Sequence, residues 1–501
     1  MDALNFLVSG FLASLTGINI LACFAGVLMG TLIGVLPGIG PIATMAMLLP
    51  FTFSVDPTTA IILLAGIYYG SQYGGSTTSI LLNIPGEVGS IITCQDGYQM
   101  ARKGRAGAAL GISAIGSFIG GTLGVIGLML LAPPLAKLAL GFGPPELFSL
   151  ILFGLIMISA IGTGSLMKSF VMAALGMFIS LIGQESFTGF SRFTLRSIVL
   201  SDGVGLVPVI MGIYSISEVL TNIEVIAKQS IYETDLRGLL PTRQEWLASR
   251  WAILRGTLIG FFIGILPGAG VVVTTFFSYW LEKRISKYPE KFGTGVIEGV
   301  ASPETANNAA VSGSMLSLLA LGIPSSPTMA VLLGAFIIQG IQPGPFFISE
   351  HPSLFWGVIA SMYVGNLMLV ALNLPLIGIW VKILKIPYRQ LFPLIILFCL
   401  IGVYTLNNSI SEIFIMILFG FIGYILRKME YSLAPFVLAM VLGPMMETSF
   451  RQSMAISQGS LAIFFQRPFS AVLMVLVGIV FLATMVLSMR RKTVFPELKE
   501  S

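Results

Sequence analysis

No lysine or arginine precedes Arg102, and apolar runs such as Gly107–Leu131, Phe148–Ile161 and Ala471–Met489 are near or above bilayer-crossing length. Only 10% of the 501 residues are charged and 55% are apolar. A soluble chain would carry roughly 25% charged residues. Mean hydropathy is +0.94. These features predict an all-α polytopic membrane protein. An outer-membrane barrel would instead alternate in short segments. The start, Met1-Asp-Ala-Leu-Asn-Phe6, has no basic region or small-residue cleavage site, so the first apolar stretch is expected to be retained. The net charge of +5 is read as topogenic loop charge, with no nucleic-acid surface. Cys23, Cys94 and Cys399 suggest neither a disulfide framework nor a metal site.

Within these apolar stretches one motif, G-x-L-P-G-x-G, occurs twice, at Gly34–Gly40 and at Gly264–Gly270. The prolines, Pro37 and Pro267, are 230 positions apart. Each break frees backbone polar groups that hydrocarbon cannot solvate, so protein or a wet cavity must satisfy them. Paired breaks in two halves are the best sequence pointer to a transporter binding site. Further matches support duplication. Asn83-Ile-Pro85-Gly86 echoes Gly322-Ile-Pro324-Ser325, and Leu147-Phe-Ser-Leu150 echoes Leu391-Phe-Pro-Leu394. Leu206-Val-Pro208 likewise echoes Leu442-Gly-Pro444, and Gly176 echoes Gly420.

Four segments follow: a first transmembrane repeat over 1–225, a cytoplasmic connector over 226–250, a second repeat over 251–460, and an extra C-terminal helix with a basic tail over 461–501. Arg102, Lys103 and Arg105 mark one loop as cytoplasmic, while the equivalent stretch Ile337–Pro352 has no basic residue. Lys382, Lys385 and Arg389, like Lys283, Arg284, Lys287 and Lys291, fall where the first half is nearly uncharged. Opposite bias at equivalent positions predicts inverted-topology repeats. Arg192 and Arg196 run against this reading, since their loop counts as external.

Spans are predicted near 17–35, 108–132, 147–162, 169–184, 204–222, 251–266, 354–380, 391–405, 412–427, 433–443 and 470–489. Shorter pieces, 41–52, 58–70, 76–84 and 88–99, have counterparts at 271–281, 295–308, 312–321 and 327–339. Such short pieces predict re-entrant helical hairpins, with broken helices at the midplane.

Gly74 and Gly75 are expected to turn the chain so that Ser76, Thr77, Thr78 and Ser79 open a short helix, ahead of Asn83 and Pro85. A helix start of this kind binds carboxylates without a buried arginine. In the second half Ser314, Ser325, Ser326 and Thr328, around Pro324, are the corresponding substrate contacts. Asn307 and Asn308, costly in an apolar run unless paired or coordinating, join carbonyls near Gly38, Gly40, Gly268 and Gly270 as candidate cation ligands. Glu298 and Glu304 are solvated if interfacial and coupling candidates if intramembrane. Glu87 and Asp96 are expected to pair with Arg102 or Lys103. His351, the single histidine, sits in a loop, so no catalytic triad or metal centre is expected, and an intramembrane enzyme lacks its chemistry.

The run from Gly34-x-Leu-Pro-Gly-x-Gly40 through Ile67-Tyr-Tyr-Gly-Ser-Gln-Tyr-Gly-Gly-Ser76 to Asn83-Ile-Pro-Gly-Glu87 resembles the large membrane subunit of tripartite tricarboxylate transporters, the TctA family. So do Asp96-Gly-Tyr-Gln-Met-Ala-Arg-Lys-Gly-Arg-Ala-Gly107, Glu298-Gly-Val-Ala-x-Pro-Glu-x-Ala-Asn-Asn-Ala309 and Leu321-Gly-Ile-Pro-x-Ser326. The resemblance implies a secondary active transporter of the bacterial cytoplasmic (inner) membrane that imports di- or tricarboxylates on a Na+ or H+ gradient, without other cofactors. It implies two partners: a small TctB-like membrane subunit of about four spans, and a periplasmic TctC-like solute-binding protein. Ser325 stands where the family often has glycine. The hairpin pattern adds an elevator-like motion as an expectation. A carboxylate channel with the same broken helices is the alternative.

Overall fold

The computed structural model describes residues 2–494 apart from 37–39, 162–165, 186–188, 198, 225–237 and 385–387. Pro37 and Gly38 therefore lie outside the described residues. The chain is helical nearly throughout. Among the described residues, seven helices are long and apolar enough to span a bilayer: Gly17–Val35, Ala106–Ala139, Leu206–Ile223, Arg243–Ile265, Pro352–Asn373, Ile410–Lys428 and Pro468–Val486.

Two helices form the interior, Pro57–Leu82 and Glu298–Leu321, and nearly every residue of each is buried. Both were predicted as two pieces with a break; each is one continuous helix. The reason is packing. Gly66, Gly70 and Gly74 do not turn the chain but admit a neighbouring backbone: a Cβ at Gly74 would lie 2.2 Å from the Thr31 carbonyl oxygen. Keeping the ladder intact also avoids stranded backbone groups. Ser76–Ser79 consequently lie inside a helix rather than at its start.

The same contact is built twice. On Gly17–Val35, a Cβ at Gly26, Gly30 or Gly34 would lie 2.4 Å from the carbonyl oxygen of Leu63, Ile67 or Ser71. On Arg243–Ile265, Gly256 and Gly260 stand 2.4 Å from the oxygens of Ser302 and Ala306, and Gly264 2.6 Å from that of Ala310, by the same measure. Glycine every fourth residue makes a groove along one helix face, which lets two membrane helices reach backbone contact. Ala106–Ala139 crosses Glu298–Leu321 the same way, through Gly116, Gly120 and Gly124.

Each interior helix ends on a left-handed residue two positions before a proline. Asn83 has φ 59° ahead of Pro85, and Gly322 has φ 73° ahead of Pro324. This is a helix stop, with the following proline barring continuation. In the second half, Arg255 on Arg243–Ile265 pairs with Glu282 on Gly270–Ile285 at 2.6 Å, so these helices run back along each other from the Pro267 turn. Within the expected connector Arg243 opens a helix, capped by Thr242 with Glu245. Residues 225–237 of the connector lie outside the described residues.

Candidate functional site

Helix ends from both halves surround one cavity of about 540 Å³. Its wall contains Gly40 and Pro41, Pro85 to Val88, Gly268 to Val272, and Ser325 to Thr328. Local contacts hold these turns together. The Gly268 amide donates to the Ser325 carbonyl at 3.0 Å. Gly86 abuts the Gly34 carbonyl so closely that a Cβ there would lie 2.0 Å away. Three helices start at the wall, at Pro41, Gly270 and Pro327, and each brings the positive end of its dipole there. Ser326 caps the last of them, accepting from the Met329 amide at 3.3 Å.

Two hydroxyls at the wall are unused. Ser325 Oγ is buried with no hydrogen-bond partner, and Tyr68 Oη lies near the Ser314 and Ser326 hydroxyls without a normal bond to either. Such groups cost free energy unless something in the cavity bonds them.

The predicted residues do not all meet at the cavity. Gly40, Pro85, Gly268, Gly270, Ser325, Ser326 and Thr328 line the cavity. Ser76, Thr77, Thr78 and Ser314 are buried away from it in the interior helices. Thr78 Oγ1 donates to the Val35 carbonyl at 2.7 Å and Ser314 Oγ to the Gly264 carbonyl at 3.2 Å, so both fasten helices together. Asn83 is exposed at its helix stop. Pro267 and Pro324 are buried in their turns. Asn308 donates back to the Glu304 carbonyl at 3.2 Å.

Two expected ion pairs are replaced by other contacts. Glu87 does not pair with Arg102 or Lys103. It lines the cavity, accepts from the Gly89 amide at 2.7 Å and from Asn307 Nδ2 at 3.0 Å, and faces Gln72. With its amide turned to donate, Gln72 reaches Asn307 Oδ1 at 2.8 Å and both Glu87 oxygens at 3.1 Å. Asp96 is fully buried. It accepts from the Tyr279 hydroxyl and from the amides of Gly293, Gly295 and Val296, a cradle the loop amides offer more tightly than a mobile basic side chain could. Lys103 instead donates to the Thr294 carbonyl, and Arg105 pairs with Glu245 at 2.7 Å.

Glu304 is entirely buried, whereas Glu298 is partly exposed. Hydroxyls from three other helices converge on the Glu304 carboxyl: Ser76, Thr93, and Ser113 at 2.9 Å. Tyr68, Gln72, Tyr214, Glu218 and Arg427 also stand at the cavity wall, the first two within the candidate segment that opens at Tyr68 but not among its expected contacts. Tyr68 and Gln72 carried a signal, being polar residues in the apolar run that precedes Gly74. Glu218 and Arg427 lie far away in sequence, and no local pattern joins them.

Arg192 has its explanation in a second cavity of about 450 Å³. It forms a forked pair with Glu447, at 2.8 and 3.1 Å, and Arg451 adds a bond at 2.9 Å. Its charge is thus paired within the structure. Glu447 lies outside the seven apolar spans. The Arg192 hydrogen bonds, with Arg451, hold its carboxyl below the usual range. A depressed carboxyl contributes stability that is fully present above its unfolded value of about 4.3 and is lost as pH falls from there through the lower folded value. Wild-type melting in detergent should therefore fall more than that of Glu447→Gln between pH ~6 and ~3, with the variant about 1 kcal/mol less stable at neutral pH. Equal losses on acidification would remove this role.

Residues 20–438 match the family described as the tripartite tricarboxylate transporter TctA family. The chain belongs to the TctA family. Two proteins of Agrobacterium vitis are similar to it. One, described as an uncharacterized 52.8 kDa protein in the TAR-I ttuC' 3'region, is 48% identical over 474 residues, 95% of this chain and 94% of its own length. The other, an uncharacterized protein in the TAR-II ttuC' 3'region, is 52% identical over 215 residues, 43% of this chain and 89% of its own. No solved structure matches the chain. TctA proteins are transporter subunits rather than enzymes, and membership implies a tripartite system with TctB and TctC partners. The seven apolar helices fit a multi-pass membrane protein.

Proposed function

We propose that this chain is the large transmembrane subunit of a binding-protein-dependent secondary active transporter that imports di- or tricarboxylates on a Na+ or H+ gradient. One observation carries the reading: turns from both halves, with three helix starts and two unused hydroxyls, meet at one cavity. Partial positive charge on the N–H groups suits carboxylates. Ser325, Ser326 and Thr328 are the substrate contacts in this reading, with Tyr68 added. The coupling cation belongs beside the Glu87 carboxyl, with Asn307 Oδ1 as a neighbouring oxygen, and Gly40, Gly268 and Gly270 line the same cavity. Glu304, buried behind that wall, is the second carboxyl of the coupling path.

The repeated glycine grooves and repeated left-handed stops support two related halves. Their opposite charge bias supports inverted topology in a bacterial inner membrane, and the turns at 266–269 and 83–87 are the moving tips of an elevator-like cycle. A TctC-like periplasmic protein would deliver the solute, and a TctB-like subunit would complete the membrane complex.

The test is uptake of radiolabelled citrate and succinate by vesicles bearing the whole system with its binding protein. Accumulation above equilibrium is expected, collapsing with a sodium ionophore or with a protonophore, whichever ion drives it. Equilibration without accumulation would favour the channel alternative, and no movement of either acid would overturn the assignment.

A further inference from the structure

The cavity holds one basic side chain among its described lining residues, Arg427. It sits in the last turn of Ile410–Lys428. Its neighbour Lys428 lies 4.7 Å from the ring of Tyr424, whereas Arg427 is part of the cavity wall. The Arg427 guanidinium is poorly used. Nη2 reaches Glu218 at 3.4 Å, and Nε is buried with no hydrogen-bond partner. A guanidinium has five donors in a planar fork that fits a carboxylate in two-point contact, and a single long bond leaves most of that capacity free. Tyr214, also at the wall, lies within the field of both Arg427 and Glu218. The same cavity carries the partnerless Ser325 hydroxyl, next to the capped helix start at Ser326. Unmet donors thus stand on two separate elements of one hollow.

We propose that Arg427 binds one carboxylate of the solute, displacing Glu218, while the helix start at Ser325–Thr328 takes another. This rests on the carboxylate-transporter reading and narrows it. The solute bears at least two carboxylates, and a monocarboxylate engages one end alone. Glu218 is the resident anion that holds the guanidinium when the cavity is empty. Its departure leaves Glu218 facing solvent in the cavity, where it is already partly exposed at 20%.

The test uses the whole tripartite system, with uptake of citrate and succinate at saturating binding protein and melting of the purified membrane complex. Arg427→Gln should raise KM for both acids at least about tenfold, the cost of a lost two-point charged contact. Its own melting temperature should stay within about 2 °C of wild type, while the citrate-induced rise in melting temperature disappears. Arg427→Lys keeps the charge without the fork and should give an intermediate KM, which serves if the glutamine variant is poorly made. Glu218→Gln removes the competing anion and should lower KM for both acids. The proposal is overturned if Arg427→Gln leaves KM unchanged, or if Arg427→Gln and Glu218→Gln both lose uptake and melting temperature together, as a structural pair would. Wild-type failure to move either acid would instead defeat the transporter reading. Normal wild-type uptake with an indifferent Arg427 would defeat this inference alone.

Discussion

Replacing Gly34 with alanine is expected to leave little stably folded protein, whereas Gly40→Ala in the same motif should fold as wild type does. The difference is local geometry. A Cβ at Gly34 would stand 2.4 Å from the Ser71 carbonyl oxygen and 2.7 Å from the Gly75 amide nitrogen. Both are backbone atoms of a fully buried helix and cannot swing aside. Accommodating the methyl means parting two helices along the groove that Gly26 and Gly30 also form. It also pushes away Gly86, whose contact with Gly34 sets the cavity wall. Overpacking of this kind costs about 3 kcal/mol or more, a large share of total stability. At Gly40 nothing lies within 4 Å of the built Cβ. Yield and melting temperature after detergent extraction check both variants. Wild-type behaviour of Gly34→Ala would show that the tight approach is not needed.

Glu304 should give the second large effect, split between two substitutions. Glu304→Leu removes the acceptor shared by Ser76, Thr93 and Ser113. Ser76 keeps an alternative in the Gln72 carbonyl at 3.0 Å, but Thr93 and Ser113 lose the one acceptor each is seen to use. Burying two unsatisfied hydroxyls costs roughly 3 kcal/mol. Glu304→Gln keeps an oxygen in place and should fold better than the leucine variant. It should still abolish gradient-driven accumulation, because an amide can neither carry a proton nor balance a cation. Melting curves rank the folding effect and vesicle uptake reads the coupling. Gradient-dependent accumulation by Glu304→Gln at the wild-type level would remove Glu304 from the coupling path.

The Ser-Thr run at 76–79 illustrates how far local reading reaches. Two glycines before four hydroxyl residues resemble a turn and a helix start. The alternative, a helix packed through glycine with hydroxyls bonding inward, has the same local pattern. The Thr31 carbonyl beside Gly74 decides between them, and it belongs to another helix. Asp96 and Glu87 were misplaced for a related reason. Their nearest charges in sequence are Arg102 and Lys103, but the loop amides at 293–296 and Asn307 are nearer in space. By contrast, the proline-flanked breaks were legible. Those at Pro85 and Pro324 fall just past a left-handed residue that already closes the helix, whereas Pro303 and Pro444 stand inside continuous helices.

Composition and punctuation alone determined that this chain is a multi-pass helical membrane protein and marked the turns at Pro85 and Pro324. Those properties follow from solvation and backbone chemistry, which act residue by residue. Tertiary structure decided which stops face a common hollow, which carboxyls are buried, and that Arg427 and Glu218 meet at its wall. Contacts between distant segments depend on how helices cross, and no short stretch of sequence encodes that angle.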